Sequence, residues 1–356
     1  MSKLGRNQLC ACGSGKKFTN CCGSALPLER PREEGPVPPG SGILFGNTST
    51  FLISLLDSFA RSSTTKSYRI APISEFDALT HVAERNRIYW QEMLYRAHFA
   101  GSTALLRLYE WVVGAQRAYA DSNVLVLAAA LRGFVEAGTD TFDALSDAAS
   151  TFADCHSIIR SAIAGKLDDV TALLPELENS LIHFAYARKL TPDAGPRLHQ
   201  AKTARDYLSV VTESFPEVVD VYGLLCEYSH PAERTVFRFA ARMNDPTMLT
   251  FDPHAGAEQI HELQRVSVTI GERLMPLCVP PCFMVLKVLN AFGLDEVYTP
   301  WADGLALDFS EIWRGIDRRL HDPSPPRTAT DIERGKIVSD LLSAYEPLGA
   351  VKRKKD

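Results

Sequence analysis

The stretch NVLVLAAALRGFVEAGTDTFDALSDAAS, Asn123–Ser150, is rich in alanine and in larger apolar residues. Alanine has the highest helix propensity of all residues, so this composition favours a helix over a strand. Apolar side chains fall on nearly every face, and Arg132 and Glu136 are the charged residues within positions 124–139. The alanine-rich character continues to Gly165, and a helix that is apolar nearly all round is buried on all sides, so the sequence predicts a helical protein with at least one helix of residues 123–165 at its centre.

Helical periodicity continues on both sides of this stretch. In FLISLLDSFARS, Phe51–Ser62, apolar residues at 51, 52, 55, 56 and 59 share one helix face. The segment 76–122 is predicted to form two long helices with a break near Gly101, and helices are predicted again from residue 257. The fold class is therefore mainly α.

One region departs from the helical pattern. Residues typical of strands, Thr235–Phe239 and Met248–Phe251, flank an Asn-Asp-Pro sequence that favours a turn. This arrangement allows one short β-hairpin near residues 235–251.

Composition excludes several functional classes. The 356 residues are 46% hydrophobic and 23% charged, which suits a globular protein with a proper core. The net charge of -5 argues against a surface devoted to nucleic acid. The N-terminus lacks the apolar core of a secretory signal, and no run of eighteen apolar residues occurs, so no membrane contact is expected. We therefore expect a cytoplasmic protein whose thiols stay reduced.

Four of the eight cysteines lie within thirteen residues, in the pattern C-x-C-x8-C-C. Reduced cysteines at this density indicate a metal site, and four thiolates suit one tetrahedral zinc ion. The predicted zinc ligands are Cys10, Cys12, Cys21 and Cys22. Four protein ligands leave no open position for water, so we expect the zinc to be structural and not catalytic.

The stretch GRNQLCACGSGKKFTNCC, Gly5–Cys22, resembles the SEC-C motif, named for the C-terminal tail of the preprotein-translocase ATPase. The motif runs G-R-N-x-x-C-x-C-G-S-G-K-K-[YF]-x-x-C-[CH], and Leu9 and Ala11 stand where its members often carry proline. The resemblance covers about the first 25 residues. It implies a bound structural zinc ion and a module that docks onto a partner protein or the ribosome.

These segments divide the chain into four parts. Residues 1–25 are the predicted zinc module, and residues 26–45 are a linker rich in proline and glycine. Residues 46–346 are the predicted helical domain. Residues 347–356 are a basic tail, interpreted as a solvated end in preference to a nucleic-acid contact.

Two pairs of residues in the helical domain are candidates for chemistry. Arg132 and Glu136 are four residues apart and share a helix face, either as an internal ion pair or as part of a polar site. Glu227 and His230 are three apart near a predicted helix end. They suit a base with its partner or metal ligands, whereas the alternative is a histidine that stabilises the helix C-terminus.

The two candidate segments also bear a weaker resemblance to uncharacterised bacterial helical proteins related to the HEPN superfamily. It rests on R-x-x-x-E and Y-x-x-L-x-E-Y-x-H-P and extends over residues 100–290. It implies either a ribonuclease that acts on RNA or a structural protein whose helices pair in a homodimer. An R-x(4–6)-H motif of HEPN nucleases is matched at Arg314–His321, but the prolines that follow argue against a long helix there.

The remaining cysteines and one histidine have simpler interpretations. Cys278 and Cys282, in CVPPC, are either metal ligands or buried free thiols at a proline kink, and the sequence favours the thiols. Cys155 and Cys226 are interpreted in the same way, and His183 as a core histidine with its hydrogen bonds satisfied.

Three hypotheses therefore remain open at the level of sequence. The first is a zinc-binding protein whose SEC-C module docks a partner protein or the ribosome, with a helical domain of undetermined role. The second is a HEPN-like ribonuclease, and the third is a helical dimerising scaffold with a purely structural zinc. The sequence leans against an enzyme, because no phosphate-binding loop or nucleophile motif occurs.

Overall fold

A computed structural model describes residues 44–189, 196–241, 248–253, 255–308 and 310–321. The chain is mainly α-helical over these residues, as predicted, with a single pair of very short strands. The predicted boundaries at residues 25 and 346 lie outside the described residues and stay predictions.

The helices are numbered here in chain order. The first seven are α1 Thr50–Ser62, α2 Ile73–Asp77, α3 Val82–Ala120, α4 Val124–Leu145, α5 Ala148–Asp154, α6 His156–Ile163 and α7 Pro175–Tyr186. The remainder are α8 Ala204–Ser209, α9 Val218–Ser229, α10 Glu233–Phe237, α11 Ala257–Arg273, α12 Met275–Asn290, α13 Pro300–Asp303 and α14 Glu311–His321. Within the described part of the chain, no helix combines the length and the apolar character that a membrane crossing requires.

Helix α4 lies at the centre of the fold, which confirms the prediction from its alanine-rich sequence. It packs against α3, α7, α8, α9, α11 and α12. Its start is fixed by Asn123, whose side-chain oxygen accepts a hydrogen bond of 3.2 Å from the Val126 N–H. The surrounding helices bury its apolar faces, from Leu127 and Leu131 to Phe134.

Helix α3 is continuous over 39 residues, so the predicted break near Gly101 was wrong. A Cβ atom on Gly101 would lie 3.5 Å from the Leu286 side chain and 3.7 Å from the Cys282 carbonyl oxygen. A Cβ atom at this position would therefore make ordinary van der Waals contact with α12, without a clash. One glycine costs about 1 kcal/mol relative to alanine inside a helix, which is too little to break a helix of this length.

Helix α12 contains Pro280 and Pro281 within its length. Cys278 and Cys282 on either side of them are fully buried free thiols, as the sequence favoured. The Cys282 thiol donates to the Cys278 carbonyl oxygen at 3.3 Å. The bond gives the buried Cys282 thiol a hydrogen-bonding partner within its own helix.

The predicted hairpin is present but smaller than expected. Strand β1, Ala240–Ala241, pairs antiparallel with β2, Thr250–Phe251, with Ala240 opposite Phe251. The first predicted arm was wrong in part, because residues 233–237 form α10. The Thr235 hydroxyl bonds both the N–H and the carbonyl of Ala232, which stabilises a helical turn at this point.

The described chain begins against α11. Leu44 and Phe45 are buried in the core, and the Phe45 carbonyl approaches α11 at Gly271. A Cβ atom on Gly271 would lie 2.0 Å from the Phe45 oxygen, so only glycine fits there. This contact anchors the start of the helical body to α11.

Candidate functional site

The four predicted zinc ligands, Cys10, Cys12, Cys21 and Cys22, lie outside the described residues. Among the residues that the structure describes, no three His, Cys, Asp or Glu side chains are grouped so as to hold a metal ion. The candidate sites that can be described are therefore polar clusters around α4.

The first cluster is centred on Arg132. As the spacing predicts, its Nε donates to Glu136 Oε1 at 3.1 Å along one face of α4. Its Nη1 lies 2.8 Å from His230 Nε2 and donates to Ser229 Oγ at 3.1 Å. The fold thus brings together three of the four residues that the sequence singled out, from positions about a hundred residues apart.

Tyr222 completes this cluster. Its hydroxyl donates to Glu136 Oε1 at 2.6 Å, and the Arg132 guanidinium lies 6.0 Å from the centre of its ring. Burial, reinforced by the neighbouring carboxylate, raises the pKa of Tyr222. The hydroxyl therefore stays protonated, and one oxygen of Glu136 accepts from both Tyr222 and Arg132.

Glu227 points away from this cluster. Its carboxylate accepts from Arg234 Nε at 2.6 Å, and Arg234 also binds Glu262 Oε2 at 2.9 Å. The reason is that α9 ends at Ser229 and His230 has an extended backbone, with φ −112° and ψ 162°. Three-residue spacing places side chains on one face only within a helix, and His230 lies just beyond the helix end.

The arrangement limits the chemistry of His230. Guanidinium groups only donate hydrogen bonds, so the Nε2 atom that faces Arg132 must accept and carry no proton. Glu136 is already bound by Arg132 and Tyr222. The cluster therefore links α4 to α9 through bonds that engage His230 Nε2 and one oxygen of Glu136.

The R-x(4–6)-H match lies in a helix of 11 residues. Helix α14 extends from Glu311 to His321, so a helix does form up to the prolines. Arg314 donates to the Asp308 carbonyl oxygen at 3.3 Å, however, and His321 Nδ1 donates to the Asp317 carbonyl oxygen at 2.9 Å. The two exposed side chains share no partner among the described residues, so they do not act as a unit.

A second polar region lines a cavity of about 390 Å³ between α3, α4, α7 and α8. This region was not predicted from the sequence. Arg107 crosses from α3 to α4, donating to Asp140 Oδ2 at 2.6 Å and to the Ala137 carbonyl oxygen at 3.2 Å. Lys202 donates to Asp143 on the same helix. Glu136 belongs to the wall of this cavity and to the Arg132 cluster.

Aromatic rings form much of the remaining wall. The Arg107 guanidinium lies 4.9 Å from the centre of the Phe184 ring. The Trp111 ring lies directly on the backbone of Gly133, where a Cβ atom would meet it at 2.5 Å. His183 forms hydrogen bonds with the Leu198 carbonyl oxygen at 2.8 Å and with the Tyr207 hydroxyl at 3.1 Å. This core histidine therefore positions the Tyr207 side chain in the cavity wall.

Burial of the cavity wall changes the ionisation of Asp140. Burial raises the pKa of the Asp140 carboxyl, and the Arg107 charge opposes that effect. The sequence did contain a signal for this residue. Arg132, Glu136 and Asp140 recur every four residues along α4, so they form one polar stripe on an otherwise apolar helix.

Comparison with known proteins gives one match. No curated protein and no solved structure matches the chain. The SEC-C motif family matches residues 6–24, a segment that includes all four clustered cysteines. The chain thus carries a SEC-C motif at its N-terminal end.

Proposed function

We propose that this chain is a zinc-binding protein whose SEC-C module, residues 1–25, docks a partner protein or the ribosome. The observation that carries the proposal is the family match at residues 6–24, a motif associated with metal binding. The donor set agrees with it, because four cysteines at short spacing match the preference of zinc for thiolate ligands.

In this proposal Cys10, Cys12, Cys21 and Cys22 hold one structural zinc ion. Four thiolates leave no coordination position for a substrate or a water molecule. The ion supplies the folding free energy of a segment too short to build its own core. A cytoplasmic location is part of the proposal, since free thiolates persist where thiols stay reduced.

The docking role rests on the placement of the motif in the sequence. Residues 26–42 contain five prolines and three glycines, a composition typical of an extended spacer. A zinc module beyond such a spacer can engage a partner without disturbing the helical domain. Lys3, Arg6, Lys16 and Lys17 give this module a positive charge that suits an acidic protein surface or ribosomal RNA.

The experiment is an affinity pull-down from native lysate, with bound proteins and RNA identified. The wild type is compared with the double variant Cys10→Ser/Cys21→Ser, and Cys155→Ser in the helical body serves as the matched control. Loss of a ribosomal or protein partner only in the double variant supports docking. Retention of every partner in the double variant contradicts docking. The zinc would then only stabilise the fold of its own segment.

The ribonuclease alternative has less support from the geometry. Its four residues separate into two clusters, with Glu227 bound to Arg234 and His230 facing Arg132. A purified chain that cleaves single-stranded RNA, with cleavage lost in His230→Ala, would restore this alternative. The dimerising scaffold is tested by light scattering of the purified chain, where a monomeric mass contradicts it.

A further inference from the structure

The cavity beside α4 has the size of a small-molecule site. Its volume of about 390 Å³ falls within the ~300–1,000 Å³ typical of ligand pockets. It lies entirely within the helical domain, so a ligand here gives that domain a role separate from the zinc module. Four charged side chains line it: Arg107, Glu136, Asp140 and Lys202.

The charges of the cavity wall are balanced, with two cations and two carboxylates. Glu136 and Asp140 each use one carboxylate oxygen in hydrogen bonds within the described structure, Oε1 and Oδ2 respectively. Glu136 Oε2 and Asp140 Oδ1 are left to accept from a ligand. The Lys202 ammonium binds Asp143 and has two further protons to donate.

Such a wall disfavours ligands that carry charges of only one sign. A polyanion such as RNA or a nucleotide would place several negative charges beside the Glu136 and Asp140 carboxylates, with only the two wall cations to offset them. A ligand with one positive and one negative group satisfies both kinds of side chain at once. Charge-assisted hydrogen bonds of this type are also the strongest available in a partly buried site.

An apolar surface accompanies the charges. The Trp111 ring lies on Gly133, and this residue is 38% exposed and lines the cavity. Phe184 and Tyr207 extend this aromatic surface on the α7 and α8 sides. Aromatic walls of this kind bind apolar or aromatic groups.

We propose that this cavity binds a free α-amino acid with an apolar or aromatic side chain. Glu136 and Asp140 accept from its ammonium group, Arg107 and Lys202 donate to its carboxylate, and Trp111 packs against its side chain. The site needs neither the zinc ion nor a docking partner, so it goes beyond the proposed function.

The test uses the full wild-type chain and three probes that share a phenylethyl group. L-Phenylalanine carries both charges, 2-phenylethylamine lacks the carboxylate, and 3-phenylpropionate lacks the ammonium. Calorimetric titration is expected to show phenylalanine binding at least about tenfold more tightly than either analogue. No binding of phenylalanine, or equal binding of one analogue, overturns the proposal.

A variant pair locates the binding on the chain. Lys202→Met is expected to weaken phenylalanine binding at least about tenfold, because a carboxylate partner is lost. Lys166→Met, an exposed lysine outside the cavity, is expected to bind as the wild type does. Circular dichroism verifies that both variants fold. Unchanged binding by folded Lys202→Met overturns the assignment, and the probe series on the wild type decides the outcome if the variant fails to fold.

Discussion

The chain contains two sets of four cysteines in opposite surroundings. The first set lies within thirteen residues among glycines and lysines, at Cys10, Cys12, Cys21 and Cys22. The second set is spread through the helical body as half-buried or buried free thiols, at Cys155, Cys226, Cys278 and Cys282. The zinc proposal thus gives the first set a role different from that of the buried thiols.

Ionisation explains the difference. Burial raises the pKa of Cys155 to about 11 and that of Cys282 to about 12, and it raises the pKa of Cys278 as well. Metals bind the thiolate, so a thiol held protonated by an apolar core acts as a small apolar side chain. The N-terminal cysteines instead have Arg6, Lys16 and Lys17 near them in the sequence, and positive charge near a cysteine generally favours the thiolate. Clustering together with charge, and not cysteine count, indicates a metal site.

The largest effect should come from Gly271→Ala. This variant tests whether the stability of the helical body depends on side-chain packing and not on zinc. The new Cβ would lie 2.0 Å from a backbone oxygen, so α11 or the Phe45 segment must move. We expect the unfolding free energy to fall by about 4 kcal/mol, as measured by denaturant titration.

The matched control for this change is Gly223→Ala in α9, where a Cβ atom meets no atom within 4 Å. It should raise stability by about 0.5 kcal/mol through helix propensity. Gly271→Ala should leave the zinc content unchanged. A loss of zinc in that variant would show that the zinc module and the helical body fold together, which would contradict their separate roles.

Acid should destabilise the body through His98. Its Nδ1 atom is hydrogen-bonded to the Tyr68 hydroxyl at 2.6 Å and its Nε2 atom to the Thr299 hydroxyl at 2.8 Å. Burial, with a smaller effect of Lys66, lowers the pKa of His98 from its ordinary value of 6.5 to about 4. The unfolded chain then takes up the proton first, so stability falls as pH drops from 6.5 to 4, by up to about 3 kcal/mol.

The variant His98→Gln sharpens this prediction. Without a titrating group at this position, the loss of stability between pH 6.5 and 4 should shrink, as read from denaturant titrations at each pH. The pH at which zinc is released should be the same in both chains, since that release reflects protonation of thiolates. An identical pH dependence of stability in variant and wild type would show that His98 is not the acid-sensitive group.

A smaller effect is expected for Cys282→Ser. The hydroxyl can repeat the bond to the Cys278 carbonyl oxygen but is more costly to bury, so we expect a loss of about 1–2 kcal/mol. Cys226→Ser, at a half-buried position, should cost less than about 0.5 kcal/mol. Equal losses in thermal or denaturant unfolding would contradict the role of Cys282 as a core side chain.

The sequence predicted the features that depend on local pattern. The central position of α4 followed from apolar residues on nearly all of its faces, and the Arg132–Glu136 pair followed from four-residue spacing. Features that depend on packing were missed. The break expected at Gly101 was wrong because one glycine costs only about 1 kcal/mol inside a helix, and α3 packs against α4 and α12.

The same limit applies to the polar clusters. Tyr222 and Ser229 join Arg132 only because α9 packs against α4, and no spacing rule connects residues so far apart. Glu227 and His230 separated because the helix ends between them, at Ser229. Helix ends are set within one residue by local backbone geometry, which periodicity does not resolve.

The most direct test of the account is the zinc content of the purified chain, measured by inductively coupled plasma mass spectrometry. The wild type should hold about one zinc ion per chain, and Cys10→Ser/Cys21→Ser about none, with unchanged unfolding of the helical body. Cys278→Ser and Cys282→Ser should keep the zinc. A wild type without zinc, or a double variant that retains it, would contradict the proposed zinc module.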